Sequence, residues 1–283
     1  MDRNIIEKED TSAHWSEETN IGMKIEEFNV GKIGAKVICY LHDSLVGICE
    51  TNALRPAVLL IAGGGYERIS LRESDPVAMK FFAHGINVFL LKYSIADKIK
   101  ASKPIFEAAE AMCKIRERAE EFSVDENKVA VLGFSAGGHL ALSVAALSCE
   151  SILSSYPKCR PDAALLIYPV VTSGKYAHKG SFDNLCETEE ERAFYSLENR
   201  VNEKMMPVFL LHAANDPSVP VENSLMLASA LSRYKVPFEM HIYPEGAHGF
   251  ATATKEVGTR ISYNSEWIEI ATRWLFTQFD YTE

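Results

Sequence analysis

Six short runs, most of them apolar on both faces, punctuate this chain: residues 57–62 (AVLLIA), 87–91 (NVFLL), 128–134 (KVAVLGF), 163–168 (AALLIY), 207–212 (PVFLLH) and 238–243 (FEMHIY). A strand that is apolar on both sides must be covered on both sides. The stretches between the runs supply the cover. Residues 104–122 carry Ala108, Ala111, Met112, Ile115 and Ala119 along one side with Glu and Arg opposite, which is helical spacing. Residues 136–147 are small and apolar, and 221–234 and 265–279 are amphipathic. Strand–helix alternation of this kind predicts an α/β fold with a mostly parallel central sheet, right-handed crossovers and flanking helices. Ahead of it, residues 24–28 and 35–41 read as an N-terminal β-hairpin closed near Gly31–Gly34.

The chain is 283 residues long. At roughly 150 residues per domain that allows two domains, but α/β folds of this size often form one. The expectation is a single domain over residues 23–283, preceded by a polar, aperiodic arm over residues 1–22. Residues 172–203 interrupt the alternation with His178, Gly180, Asp183, Cys186 and a charged run over 187–192. That is long for a plain connection. It is expected to be a small helical insertion, either a solvated excursion or a cap over the site.

Charge excludes one class of function. With 29 Lys+Arg against 39 Asp+Glu the formal net charge is −10, the wrong sign for phosphate-backbone binding. The N-terminus, MDRNIIEKED, lacks an apolar signal core, and no run approaches the roughly 20 apolar residues of a membrane span. The six cysteines include no CxxC pair and are expected as free thiols. The expectation is therefore a cytoplasmic protein that takes no nucleic acid and no membrane as partner. Whether it forms a homo-oligomer is left open.

Chemistry concentrates at strand ends. Gly133-Phe134-Ser135-Ala136-Gly137 follows an apolar strand and opens a small-residue helix, the context of a nucleophile elbow. Two glycines flanking the serine leave room for a tight turn. Serine needs a base to take its proton. Of the eight histidines, His248 lies in the turn-rich loop GAHGF after the last strand run. His212 and His241 fall inside strands and are expected as core residues, and His139 as a packing residue behind the elbow. Asp216, just past the 207–212 run, is placed to orient His248. The order Ser135, Asp216, His248 is that of the α/β-hydrolase triad. A tetrahedral oxyanion needs preorganised donors. The Ala136 amide and the glycine run Ala62-Gly63-Gly64-Gly65-Tyr66 are placed to supply them.

Residues 57–250 resemble the α/β-hydrolase superfamily through AGGGY (62–66), LGFSAGGHLA (132–141), VPVENS (219–224) and YPEGAHGF (243–250). The likeness is to bacterial acetyl-esterase and acetylxylan-esterase carboxylesterases within the hormone-sensitive-lipase-like group. Ala62 stands where the lipase-like branch has histidine, and Tyr93-Ser94 where it has Tyr-Arg, which favours the acetyl-esterase side. The resemblance implies an α/β-hydrolase fold and a serine carboxylesterase. It would cleave short, acetyl esters through an acyl-enzyme, including acetyl groups on sugars or xylo-oligosaccharides. It implies Gly64 and Gly65 as oxyanion donors, a small-molecule ester as partner, and no metal or organic cofactor. The alternatives are an amide-cleaving hydrolase of arylformamidase or peptidase type, and a non-catalytic binding protein on the same scaffold.

Overall fold

The computed structural model describes residues 22–42, 54–101, 103–259 and 264–281. The expected arm over residues 1–22 lies, but for Gly22, outside them, as does Cys49. Eight strands form one sheet: β1 (Met23–Val30), β2 (Ala35–His42), β3 (Arg55–Ile61), β4 (Asn87–Lys92), β5 (Val124–Phe134), β6 (Ala163–Ile167), β7 (Val208–Ala213) and β8 (Phe238–Tyr243). The spatial order is β1-β2-β4-β3-β5-β6-β7-β8. The β1–β2 hairpin is antiparallel and β2 joins β4 antiparallel, while every other pairing is parallel. The hairpin turn uses Gly31 and Gly34 at φ +67° and +89°, a region open to glycine at little cost.

Alternate residues of each central strand feed two separate cores. On β3, Ala57, Leu59 and Ile61 pack on one face, against helices α2 (Pro104–Glu117), α3 (Ser135–Leu147) and α6 (Glu222–Arg233). Val58 and Leu60 pack on the other, against α1 (Asp75–Ala83) and α7 (Trp267–Phe279), where Trp267 is fully buried. The doubly apolar strand pattern is thus the signature of a sheet wrapped on both sides.

Two expectations change. The helix expected over 104–122 ends at Glu117, because residues 118–123 turn back into β5 through Val124 N–H to Ala119 O (2.8 Å) and a positive φ at Ser123. Strand β8 is the sheet edge and only half covered. His241, expected in the core, is 29% exposed there and bonded to Glu239. Residues 172–203 hold two short helices, α4 (Lys179–Leu185) and α5 (Glu189–Phe194). Among the described residues Cys39, Cys113, Cys149, Cys159 and Cys186 are free thiols.

The chain leaves β3 for β4 on one side and returns from α2 to β5 on the other. The loops after β3 and β5 therefore open side by side at the reversal point, where open α/β sheets form their crevice.

Candidate active site

Strand β5 passes into α3 with no intervening loop, and Ser135 stands at the corner with φ +52°. A non-glycine residue in the left-handed region is strained, and it persists only where its surroundings over-determine it. The surroundings are glycines. A Cβ on Gly133 would lie 2.3 Å from Gly137 O, and one on Gly137 would lie 2.2 Å from Ile61 O. Backbone thus packs on backbone at the corner, and Ser135 has no room to relax.

Ser135 Oγ lies 2.8 Å from His248 Nε2, and His248 Nδ1 lies 2.7 Å from Asp216 Oδ2. Asp216 Oδ1 accepts the Ser218 and Val219 amides at 2.8 and 2.9 Å. Nδ1–H donates to the carboxylate, so Nε2 presents a lone pair to the serine hydroxyl. Burial opposes charge on Asp216, but the imidazoles of His212 and His248 and the Val219 amide outweigh it and hold the carboxyl well below the usual range. His248 is the closer partner. His212 Nε2 is 3.6 Å away, beyond good hydrogen-bond range, and sits 2.9 Å from Val219 O. With its Nδ1 2.7 Å from Ser224 Oγ, His212 is a satisfied core histidine.

The glycine loop sits beside the elbow. Gly64 and Gly65 have φ +127° and +68°. A Cβ on Gly64 would lie 2.1 Å from Arg68 O, so only glycine fits. Both line a cavity of about 900 Å³ together with Ser135 and His248. No hydrogen bond among the described residues takes up the Gly64 or Gly65 amide. Ala136 is in the first turn of α3, where helical amides lack intrahelical acceptors. Of the six expected residues, Ser135, His248, Gly64 and Gly65 line one cavity, Asp216 is bonded to His248 on its other side, and Ala136 follows Ser135 in α3.

Several residues of the cavity wall were not singled out from the sequence, while His178 and Asn184 belong to the segment expected as an excursion or a cap. The cavity wall includes Glu67, Arg68, Arg72, Glu73, Asn184 and Ser218, with His178 at the mouth of α4. His178 Nδ1 caps that helix through Ser181, and Asn184 Nδ2 donates to Gly65 O at 2.9 Å. Residues of the 172–203 segment therefore line the same cavity as Ser135. Behind the elbow, His139 joins three elements: Tyr66 Oη donates to Nδ1 at 2.8 Å, and Nε2 donates to Tyr195 O at 2.9 Å. Burial pushes the His139 imidazole down to about 4. Tyr168 follows β6 with φ +39°, its ring edge-on to His248 at 5.1 Å between centroids. Its place at the carboxyl end of a strand was the one available signal.

Among the described residues, no three His, Cys, Asp or Glu side chains are grouped to hold a metal ion. No helix among them is long and apolar enough to cross a membrane.

The profile of the prolyl oligopeptidase family matches residues 96–273. The chain is 34% identical over 231 residues to endo-1,4-beta-xylanase B of Butyrivibrio fibrisolvens, covering 78% of this chain and 35% of that protein. It is 28% identical over 250 residues to an acetylxylan esterase of Xylanibacter ruminicola, covering 85% of this chain and 48% of that one. The chain thus spans about a third of the first of these relatives and about half of the second. Among solved structures, the acetyl ester-xyloside bifunctional hydrolase of Caldicellulosiruptor lactoaceticus superposes with a TM-score of 0.77 at 32% identity, covering 89% of this chain and 91% of that one. The sheet order, the strand-to-helix corner at Ser135 and the span of the match lead to one assignment: the chain has the α/β-hydrolase fold and belongs to the prolyl oligopeptidase family.

Proposed function

We propose that this protein is a serine carboxylesterase that removes short acyl groups, acetyl foremost, from hydroxylated carbohydrate such as xylo-oligosaccharide. The observation that carries the reading is the continuous hydrogen-bonded line from Asp216 through His248 to Ser135, ending in an open crevice beside two glycine amides that take no partner among the described residues. Ser135 Oγ attacks the acyl carbon as His248 Nε2 takes its proton. The Gly64, Gly65 and Ala136 amides hold the oxyanion, and His248 then protonates the departing alcohol. Water, activated by the same imidazole, releases the acyl group. Asp216 keeps His248 in the accepting tautomer and stabilises its cationic form.

Two further observations support the substrate class. The wall over residues 67–73 carries Glu67, Arg68, Ser70, Arg72 and Glu73 beside Ile69 and Leu71, and the 172–203 segment adds His178 and Asn184, polar groups suited to hydroxyls. We read the 172–203 segment as a cap over the alcohol side. The acetylxylan-esterase and acetyl ester-xyloside hydrolase names of the relatives point the same way. A second reading, amide hydrolysis, draws on the family match. A panel of acetylated xylo-oligosaccharides, p-nitrophenyl esters from acetate to decanoate, N-formylkynurenine and aminoacyl p-nitroanilides separates the two. Acetate release from the xylo-oligosaccharides with no anilide cleavage is expected. Faster cleavage of the amides overturns the proposal.

A further inference from the structure

Glu73 is 2% exposed, and its two carboxylate oxygens are committed to two different loops. Oε2 accepts the Gly63 amide at 2.8 Å, and Oε1 accepts the Tyr168 hydroxyl at 2.9 Å. Tyr168 Oη in turn accepts the Ala251 amide at 3.0 Å. One chain of bonds therefore runs from the glycine loop, through Glu73 and Tyr168, to the loop that carries His248. Alongside it, Arg72 Nη1 donates to Gly249 O at 3.3 Å. The carboxylate is also close to the reaction centre. A Cβ placed on Gly63 would lie 2.8 Å from Glu73 Oε2 and 2.9 Å from Ser135 Cβ, so the carboxylate and the nucleophile flank one glycine. A Cβ on Gly249, next to His248, would lie 3.4 Å from Glu73 Oε1.

A glutamine there would bury no charge, but its one acceptor oxygen could serve only one of the two donors, the Gly63 amide or the Tyr168 hydroxyl. Burying a carboxylate among neutral donors is unfavourable unless a cation compensates it. Burial does push the Glu73 carboxyl above its ordinary range, and the Gly63 amide, the Tyr168 hydroxyl and His248 pull it back. During turnover His248 becomes a cation when it takes the serine proton. The charge that Glu73 lacks at rest is thus the charge that develops during turnover.

We propose that Glu73 is a positioning residue that holds the oxyanion loop and the His248 loop in register and supplies, beside Asp216, a second buried carboxylate facing the imidazolium that forms during acyl transfer. The inference rests on the reading of Ser135 and His248 as nucleophile and base. Glu73 takes no proton in the step: the proton passes from Ser135 Oγ to His248 Nε2 and on to the leaving alcohol. The other groups facing His248 are Asp216 from the loop after β7, Tyr168 after β6, and His178 at α4, with Arg72 on the adjoining Gly249 carbonyl.

The test is kcat/KM against pH with p-nitrophenyl acetate for the wild type, E73Q, E73D and Y168F, with thermal melts beside it. E73Q keeps the shape, removes the charge and leaves one acceptor oxygen for the two donors, so Y168F serves as the control for the lost bond. The kcat of E73Q is expected to fall about tenfold or more, and its acid limb to move to lower pH by about one unit, the effect of losing an opposite charge at this range. Y168F cuts the bridge and keeps the charge, so kcat falls while the acid limb stays. An E73Q profile with wild-type kcat, or with lower kcat and an unmoved acid limb, overturns the proposal; the second outcome leaves Glu73 a mere brace. Should E73Q fail to fold, E73D decides, because it withdraws the charge by one methylene. A lower kcat with a limb shifted toward acid supports the proposal, and a wild-type profile overturns it. The S135A variant runs in the same assay. Turnover by S135A sinks the esterase reading itself, whatever Glu73 does.

Discussion

Replacing Asp216 by asparagine should disable His248 without disturbing its position. Asp216 Oδ1 receives two backbone amides, from Ser218 and Val219, and Oδ2 receives His248 Nδ1. An asparagine has one acceptor oxygen and one donor nitrogen. Two fixed N–H groups at 2.8 and 2.9 Å leave no place for a donor on that side, so the oxygen must face the amides and the NH2 must face the imidazole. Nδ1 then has to accept, and the ring switches to the tautomer with hydrogen on Nε2. That hydrogen points at Ser135 Oγ, and the base has no lone pair to offer. The corresponding change in another serine hydrolase lowers kcat about 10⁴-fold, or roughly 5.4 kcal/mol of transition-state stabilisation. The same order is expected here, read as kcat for p-nitrophenyl acetate. The fold should survive, because both amides keep their acceptor. D216A should differ: it strands the buried Val219 donor, at about 1–3 kcal/mol, and leaves the part-buried Ser218 amide without its acceptor, so it should melt earlier than D216N. Linkage adds a signature. The Asp216 carboxyl is held below its unfolded value, so the stability it contributes is fully present above about pH 3.9 and is lost as pH falls through and below that value. The melting temperature of D216N should therefore depend less on pH in that acid range than that of the wild type. Activity of D216N within about tenfold of wild type would refute the tautomer argument and the role of Asp216 with it.

Gly137→Ala forces a Cβ to 2.2 Å from Ile61 O and 2.4 Å from Ala62 O. Backbone cannot swing aside as a side chain can, so a loss of at least about 1–3 kcal/mol is expected, read from denaturant melts; an unchanged midpoint would contradict the close packing of α3 on β3. Along an acyl series kcat/KM should peak at acetate. An apolar tunnel would instead add up to about 0.8 kcal/mol per buried CH₂, so a steady rise to octanoate would overturn the short-acyl reading.

The strands and the elbow were legible because each is written locally. A doubly apolar run needs no partner to be recognised, and GFSAG after such a run already specifies a corner. The trio Ser135, Asp216 and His248 was legible through its place at three strand ends. Pairing order was not: that β2 joins β4 rather than β3 depends on contacts far apart in sequence, and periodicity carries no such information. Glu73 was invisible for a related reason. In ERISLRESD it reads as one more charge on a solvated turn. Only when the segment folds under the glycine loop does Gly63 cover it and Tyr168 reach it. His241 failed in the opposite direction, because a mixed run such as FEMHIY does not say whether its strand is central or at the edge.

The His139 bridge bears on how substrate arrives. Tyr66 ties that imidazole to the glycine loop and Tyr195 ties it to the 172–203 segment, while Asn184 and the Lys103–Glu191 pair fasten the same segment from other sides. Swinging the segment away as a flap would strip the acceptor from a buried ring nitrogen. The crevice therefore stands ready before any ligand comes, and no oil–water boundary is needed to uncover it. Turnover of a sparingly soluble ester should saturate on its dissolved molecules, with no jump in rate when droplets form.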